Sequence, residues 1–150
     1  MSDELRDLYQ EVIIDHSKRP RNFRELGNDA HKAEGYNPLC GDEVTVYVDV
    51  EDDVVKDVTF KGSGCAISTA SASVMTETLK GKSRADAEKL FHTFHDLVTG
   101  KSEDDSVGHL GKLAVFAGVS EFPTRVKCAV LCWHTLRAAL EGHDEAVTTE

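Results

Sequence analysis

The chain has 150 residues, enough for one domain with a hydrophobic core, and 40% hydrophobic with 29% charged residues is an ordinary globular composition. Acidic residues outnumber basic residues 27 to 17, which gives a formal net charge of -10. A field of that sign repels phosphate backbones and anionic lipid, so we expect no nucleic-acid partner and no membrane-surface role.

The beginning of the chain has the features of neither an export signal nor a membrane anchor. The segment MSDELRDLYQ mixes charged with apolar residues, and no window approaches 18 consecutive apolar residues. We therefore predict a cytoplasmic protein without a membrane span. Structural disulfides are disfavoured in that reducing compartment, so metal binding or thiol chemistry becomes the expected use of the cysteines. The four cysteines are Cys40, Cys65, Cys128 and Cys132.

The first half of the chain is predicted to contain one helix and a pair of strands. Apolar residues at helical spacing predict a first helix that ends before Pro20. Residues 21–37 are predicted to be a loop, because Gly27, Asn28 and Gly35 lie within them and Pro38 follows directly. The segment EVTVYVDV then alternates between apolar and polar residues. Glu51–Asp53 form a turn, and VVKDVTFKG returns as a second strand. We predict an antiparallel hairpin with one buried face.

The chain after Gly64 is predicted to be mainly helical. Ser83 and Asp86 resemble a capping box at the start of one helix. The segment LAVFAGV is apolar but too short to assign. The predicted helices cover residues 66–80, 84–98 and about 124–141. The predicted architecture is α+β, with a small antiparallel sheet of about three strands packed against several helices in a single domain, residues 1–150.

Three cysteines lie at the ends of predicted elements. Cys40 lies in the turn NPLCGDEV. Asp42 is two residues later in an extended segment, so the two side chains can point to the same side and reach the same location. Cys65 follows a strand at the first turn of a helix, where unpaired N–H groups and the helix dipole stabilise a thiolate. Cys128 lies in the opening turn of the last helix, directly after the basic residues Arg125 and Lys127, which favour its thiolate. The ends of elements are where distant parts of a chain can assemble a site.

Each of these residues also has a plain structural interpretation. Asp42 could cap the turn, and Cys65 could be a small residue at a tight corner. Cys132 lies one turn beyond Cys128 within the apolar face, and we predict that it is structural. Three thiolates and one carboxylate suit Zn²⁺ or an iron–sulfur cluster. There is no C-x-x-C pair, so this is not a zinc finger, and spacing alone leaves the metal open.

Other candidate residues carry weaker signals. His92 and His95 are three residues apart on a predicted helix, but there is no H-E-x-x-H signature, so we interpret them as surface or boundary residues. Trp133 is interpreted as a core residue. The sequence has no glycine-rich phosphate loop and no basic aromatic surface for single-stranded nucleic acid.

Three segments together resemble one family. NPLCGDEVTVYV, GSGCAISTASASVM and FPTRVKCAVL are similar to the three cysteine motifs of the U-type (IscU/NifU N-terminal-like) iron–sulfur cluster assembly proteins. The similarity begins at LYQEVIIDHSKRPRNF and continues to about Leu140. The resemblance implies an antiparallel sheet packed on helices, in agreement with the independent prediction above.

Within that family the chain resembles the SufU branch, the zinc-dependent sulfur-transfer proteins. The scaffold branch carries a histidine directly before the third cysteine, and here that position is Lys127. The chain between Cys65 and Cys128 is also longer than in scaffolds. Both departures match SufU and argue against a cluster-scaffold role.

The resemblance implies a cofactor, a partner and a role for individual residues. Zn²⁺ would be bound by Cys40, Asp42, Cys65 and Cys128. The partner would be a pyridoxal-phosphate cysteine desulfurase of the SufS type, and Cys40 would accept its persulfide sulfur and deliver it to the downstream iron–sulfur assembly machinery. The chain would then be a sulfurtransferase-type co-substrate of the desulfurase. Arg125 is a candidate contact for the persulfide or the partner, and a solvated base is its plain alternative.

Two alternative functions remain open. The chain could be a scaffold that assembles an iron–sulfur cluster on the same ligands. It could also be a zinc-structured interaction module without sulfur chemistry.

Overall fold

The fold is a four-stranded sheet packed against helices, as the α+β prediction requires. The computed structural model describes residues 3–27, 30–38, 41–101, 111–142 and 147–148. In chain order the elements are α1 (Asp3–Lys18), β1 (His31–Asn37), β2 (Asp42–Glu51), β3 (Val54–Ser63), α2 (Ala66–Leu79), α3 (Arg84–Val98), a 3-10 helix (Gly111–Glu121), α4 (Pro123–Glu141) and β4 (Val147–Thr148). The strand order is β3-β2-β1-β4.

The predicted hairpin is confirmed by strands β2 and β3, which pair in antiparallel fashion. Val44, Val46 and Val48 of β2 are buried, and the residues between them are more exposed. Asp52 and Asp53 connect the strands with positive φ angles of 54° and 61°. Two left-handed residues give a two-residue turn a twist that matches the twist of the strands, and aspartate tolerates this conformation.

Strand β1 corrects the sequence prediction, because part of the segment predicted as a loop is a strand. Its register against β2 pairs Ala33 with Val46 and Asn37 with Asp42. The inward positions of β1 are Ala33, Gly35 and Asn37. None of them is a large apolar residue, so the sequence lacks the alternation of apolar and polar residues that would predict a strand. Two-residue β4 pairs with β1 in parallel fashion and adds a fourth strand to the predicted three.

Helix α4 lies across β1 and β2, and a glycine makes this close approach feasible. A Cβ atom at Gly35 would overlap the hydroxyl oxygen of Thr135 on α4 and crowd Leu131. Gly35 makes β1 difficult to recognise from the sequence, but its lack of a side chain allows α4 to pack directly on the sheet.

Helix α2 is packed between α1 and α4. Its short side chains are buried and hydrogen-bonded to both neighbours: Ser71 Oγ donates to the carbonyl oxygen of Ala129 at 2.6 Å, and Ser73 Oγ lies 2.7 Å from His16 Nδ1. The run of alanine and serine residues in α2 therefore allows close packing of the helix against both neighbours. The contact fixes the position of α2 relative to α4.

The remaining helical predictions are confirmed, with one assignment added. Ser83 caps α3 by accepting a hydrogen bond from the N–H of Asp86. The apolar segment LAVFAGV, which the sequence left unassigned, lies in the 3-10 helix, where Leu113 and Phe116 are fully buried. None of the helices in the described part of the chain combines the length and apolarity that crossing a bilayer requires.

Candidate metal centre

Three side chains from separate segments converge at one end of the sheet. One ligand atom from each of Asp42, Cys65 and Cys128 lies within 4.8 Å of the other two. Within the described residues, no other group of three or more histidine, cysteine or acidic side chains is arranged in this way. Asp42 begins β2, Cys65 immediately precedes α2, and Cys128 lies in α4.

Asp42 is buried, with 1% of its surface exposed, and is held by a backbone hydrogen bond. Its Oδ1 accepts the N–H of Cys65 at 2.8 Å. A Cβ atom at Gly64 would lie 2.6 Å from the same oxygen. A glycine at residue 64 is therefore needed for the backbone before α2 to approach the carboxylate this closely.

Cys65 occupies the N-cap position of α2, with φ −70° and ψ 167°. Its Sγ accepts the backbone N–H of Ser68 at 3.4 Å and lies 3.9 Å from Asp42 Oδ2. This confirms the prediction that Cys65 stands where a helix begins. Cys65 is half-buried, whereas Asp42 and Cys128 are buried, so the group is reached from the side of Cys65.

Cys128 is completely buried. Helix α4 begins at Pro123, so Cys128 lies in its second turn, slightly deeper than the predicted opening turn. Its Sγ donates to the carbonyl oxygen of Thr124 at 3.7 Å and lies 3.5 Å from Asn37 Nδ2. The face of α4 that packs on the sheet thus carries this thiol to the start of β2.

Asn37 is a site residue that the sequence analysis did not identify. It is completely buried, and its Nδ2 lies 3.4 Å from Asp42 Oδ2 as well as 3.5 Å from Cys128 Sγ. Its Oδ1 is buried and has no hydrogen-bond partner among the described residues. The signal for Asn37 was a polar residue at an inward strand position, which is visible only once β1 and its register with Asp42 are known.

Two predicted site residues are not brought into this group by the described structure. Cys40 lies outside the described residues. The chain on either side of it is described: Asn37 pairs with Asp42, and Gly41 has a left-handed φ of 72°. Arg125 is exposed in the first turn of α4, three residues before Cys128. Its role as a persulfide or partner contact stays a prediction.

Cys132 packs in the core, as the sequence predicted. It is 1% exposed, and its Sγ donates to Ser71 Oγ at 3.5 Å. Burial raises the pKa of the Cys132 thiol to about 12, and the hydrogen bond with Ser71 offsets only part of this effect. Cys132 is therefore a neutral thiol with no role in the group one turn away.

The other candidates also occupy the positions that the sequence predicted. His92 is exposed and lies 3.3 Å from Glu88, and His95 stacks on Phe91 at the edge of the core. Trp133 is fully buried and stacks on Phe94 with ring centroids 4.9 Å apart. Neither histidine belongs to the group formed by Asp42, Cys65 and Cys128.

The donor set and its dimensions fit a zinc ion. With Zn–S bonds of about 2.3 Å and Zn–O bonds of about 2.1 Å, tetrahedral angles place oxygen and sulfur about 3.6 Å apart and two sulfurs about 3.8 Å apart. The 3.9 Å between Asp42 Oδ2 and Cys65 Sγ is close to the oxygen–sulfur separation expected for zinc. All separations between the three ligand atoms are at most 4.8 Å, so they would need to shorten only slightly to bind one ion. Asp42, Cys65 and Cys128 could supply three of four ligands.

Comparison with known proteins identifies the family. Residues 8–144 match the model of the NifU-like N terminal domain. The chain belongs to this family. The zinc-dependent sulfurtransferase SufU of Bacillus subtilis is 45% identical over 132 residues, which cover 88% of each chain. The iron–sulfur cluster assembly scaffold protein IscU of Streptococcus pyogenes is 39% identical over 138 residues, covering 92% of this chain and 86% of that protein.

Solved structures of NifU-like proteins share the fold. The SufU protein of Fervidobacterium islandicum, a candidate scaffold protein for the SUF system, superimposes with a TM-score of 0.80 at 39% identity and covers 87% of this chain and 94% of that one. The NifU-like protein of Brucella abortus superimposes with a TM-score of 0.80 at 21% identity, covering 91% of this chain and 94% of that one, which shows the fold alone. The resemblance to the U-type family that the cysteine motifs predicted is therefore confirmed.

Proposed function

We propose that the chain is a zinc-dependent sulfur-transfer protein that accepts persulfide sulfur from a cysteine desulfurase for iron–sulfur cluster assembly. The observation that carries this proposal is the convergence of Asp42, Cys65 and Cys128 within 4.8 Å. Further support comes from a relative of 45% identity that is named a zinc-dependent sulfurtransferase. We also propose that residues 1–150 form one domain and act in the cytoplasm, where thiols stay reduced.

The proposed zinc ligands are Cys40, Asp42, Cys65 and Cys128. Cys40 is two residues from Asp42, so covalent geometry keeps their Cα atoms within about 7.6 Å of each other. This short separation in the chain supports the proposal that Cys40 is the fourth ligand. When bound, zinc would keep the thiolates deprotonated without adding redox chemistry of its own.

Cys40 is the proposed sulfur acceptor. Its thiolate would attack the outer sulfur of the desulfurase persulfide, so that a new S–S bond forms on Cys40 and the thiolate of the desulfurase leaves. The other thiols are less suitable, because Cys128 and Cys132 are buried and Cys65 Sγ is engaged at the N-terminus of α2. A nucleophile in sulfur exchange must be deprotonated and accessible, which favours the remaining cysteine.

The partner we propose is a desulfurase of the SufS type that docks on the side where Cys65 reaches the surface. Arg125 is exposed in the first turn of α4, the helix that also carries Cys128. A guanidinium there is suited to contact either the persulfide or a carboxylate of the partner. The downstream assembly machinery would then take the sulfur from Cys40.

The proposal is tested by metal analysis and a desulfurase assay. We expect about one Zn²⁺ per chain, because one four-ligand site is proposed, and a colourless protein. The chain should increase alanine and sulfide production by a SufS-type desulfurase supplied with cysteine. Treatment with a chelator should abolish this stimulation, and Cys40→Ala should abolish it while the circular dichroism spectrum is retained. A zinc-bound chain that never stimulates a desulfurase would instead be an interaction module.

A scaffold function is the second candidate, because several relatives are named IscU scaffold proteins, including the one from Streptococcus pyogenes. The same cysteine and aspartate ligands would then hold a cluster. A brown protein with acid-labile sulfide after anaerobic purification would support the scaffold. The position before Cys128 argues against it, since Lys127 cannot act as a neutral imidazole ligand.

A further inference from the structure

We propose that Asn37 is a positioning residue of the metal centre, whose side-chain amide holds Asp42 and Cys128 in place for metal binding. The inference rests on the proposed zinc site, but it concerns a residue that is not itself a proposed ligand. It follows from the contacts of the Asn37 side chain.

The amide nitrogen of Asn37 contacts two of the three converged side chains. Nδ2 lies 3.4 Å from Asp42 Oδ2 and 3.5 Å from Cys128 Sγ. An amide nitrogen carries two hydrogens, so it can donate one to each of these acceptors. Asn37 is thus a direct link between β2, which carries Asp42, and α4, which carries Cys128.

The orientation of the amide follows from the charge of its neighbours. With Oδ1 and Nδ2 exchanged, the amide oxygen would face the Asp42 carboxylate, and two acceptors would oppose each other. The observed orientation leaves Oδ1 buried without a hydrogen-bond partner among the described residues. An unsatisfied buried acceptor costs folding free energy. The two bonds donated towards the site are the gain that offsets this cost.

The backbone of Asn37 is rigid enough to position other groups. It is the last residue of β1 and is paired with Asp42 across the sheet. Pro38 follows and restricts Asn37 to the extended region. Two residues earlier, Gly35 lets α4 rest against β1. The amide therefore projects from a point that is fixed relative to both the strand and the helix.

Donation to a ligand atom is the usual way in which a residue beyond the ligands tunes a metal site. Such bonds orient the ligand and set its charge, and their removal costs about 10–100-fold in metal affinity. We expect the same of Asn37, whose two bonds act on a carboxylate and a thiolate at once.

The test compares two replacements of Asn37 in the full chain. Asn37→Leu keeps the shape and removes both donors. Asn37→Asp keeps the shape and replaces the donor by an acceptor. Zinc affinity is measured by competition with a chromophoric chelator, and site geometry by the visible absorption of the Co²⁺-substituted protein. We expect Asn37→Leu to weaken zinc binding about 10–100-fold, Asn37→Asp to weaken it further, and both to alter the Co²⁺ spectrum.

The matched control is Thr59→Val. Thr59 is also completely buried in the sheet, and its hydroxyl also has no hydrogen-bond partner among the described residues. It lies in the middle of β3, opposite Tyr47 and away from the converged ligands. This variant removes a buried polar atom without touching the site, so zinc affinity and the Co²⁺ spectrum should match those of the unaltered chain.

The outcomes separate this inference from the proposed function. If the unaltered chain binds no zinc, the proposed function fails. If it binds zinc and both Asn37 variants bind within twofold of it with the same Co²⁺ spectrum, only the role of Asn37 is wrong. If Asn37→Leu does not fold, Asn37→Asp decides alone, and binding as tight as that of the unaltered chain would contradict the inference.

Discussion

The backbone N–H of Cys65 donates a 2.8 Å hydrogen bond to Oδ1 of Asp42. This bond joins the start of β2 to the start of α2, and it leaves Oδ2 facing Cys65 Sγ at 3.9 Å. One oxygen of the carboxylate therefore organises the backbone, and the other is available as a ligand. The relative position of two proposed ligands is fixed by the fold itself.

Gly64→Ala should disturb this arrangement without unfolding the chain. A Cβ atom at residue 64 would lie 2.6 Å from Asp42 Oδ1, so the carboxylate or the backbone before Cys65 must move. We expect zinc affinity to fall by roughly tenfold or more, as for lost support of a ligand. The measurement is chelator competition. Gly118→Ala is the control, because a Cβ atom there meets nothing within 4 Å; equal affinity of the two variants would contradict the predicted contact.

Two cysteines one turn apart on α4 should respond oppositely to alanine substitution. Cys128→Ala removes a proposed ligand, and we expect the zinc content to fall well below one per chain. Cys132→Ala removes a core thiol that contacts Ser71, and we expect zinc content and desulfurase stimulation to persist with a stability loss of about 1–2 kcal/mol. Zinc content by atomic spectroscopy checks both variants. Loss of zinc in Cys132→Ala would require a different ligand set.

Gly35→Ala should destabilise the contact between β1 and α4. The new methyl group would overlap Thr135 Oγ1 and crowd Leu131, and overpacking of this kind costs about 1–3 kcal/mol. The free energy of unfolding in urea is the measurement. Adding Thr135→Ala removes the overlapping atom, so the double variant should lose less stability than the sum of the two single variants. Simple additivity would show that the two positions do not touch.

The stability of the fold should decrease in mild acid because of His16. This residue is buried against Ser73, and burial, helped by the positive charge of Arg21, lowers the pKa of its imidazole. The unfolded chain takes up a proton near the ordinary pKa of about 6.5, and the folded chain does so only at lower pH. The unfolded state therefore binds more protons in that interval, and stability falls as the pH decreases from about 6.5 to the folded pKa.

The measurement is urea unfolding at pH 7.5 and 5.5 with a chelator present, so that metal release does not contribute. His16→Gln should show a smaller loss between these pH values than the unaltered chain. His92→Gln is the control, since the His92 side chain is 63% exposed, and it should keep the original pH dependence. His134, whose pKa is also lowered by burial, accounts for a remaining loss in both variants. An unchanged pH dependence in His16→Gln would show that its protonation is not linked to folding.

The parts of the molecule with regular sequence patterns were predictable. Alternating Val44, Val46 and Val48 indicated β2, and the cysteine motifs identified the family and pointed to Asp42, Cys65 and Cys128. Strand β1 was not predictable, because its inward residues are small or polar, and their size is set by the helix that packs on them. Asn37 was missed for the same reason: its contacts depend on a strand register that no local pattern specifies.

The burial of Cys132 has a practical consequence. A thiol with a pKa of about 12 in the interface between α2 and α4 does not react with alkylating reagents while these helices stay together. It becomes modifiable only when the core opens, so the rate of its alkylation reports the opening of the fold. Cys132 is thus an internal probe of unfolding, located one helical turn from the proposed zinc ligand Cys128.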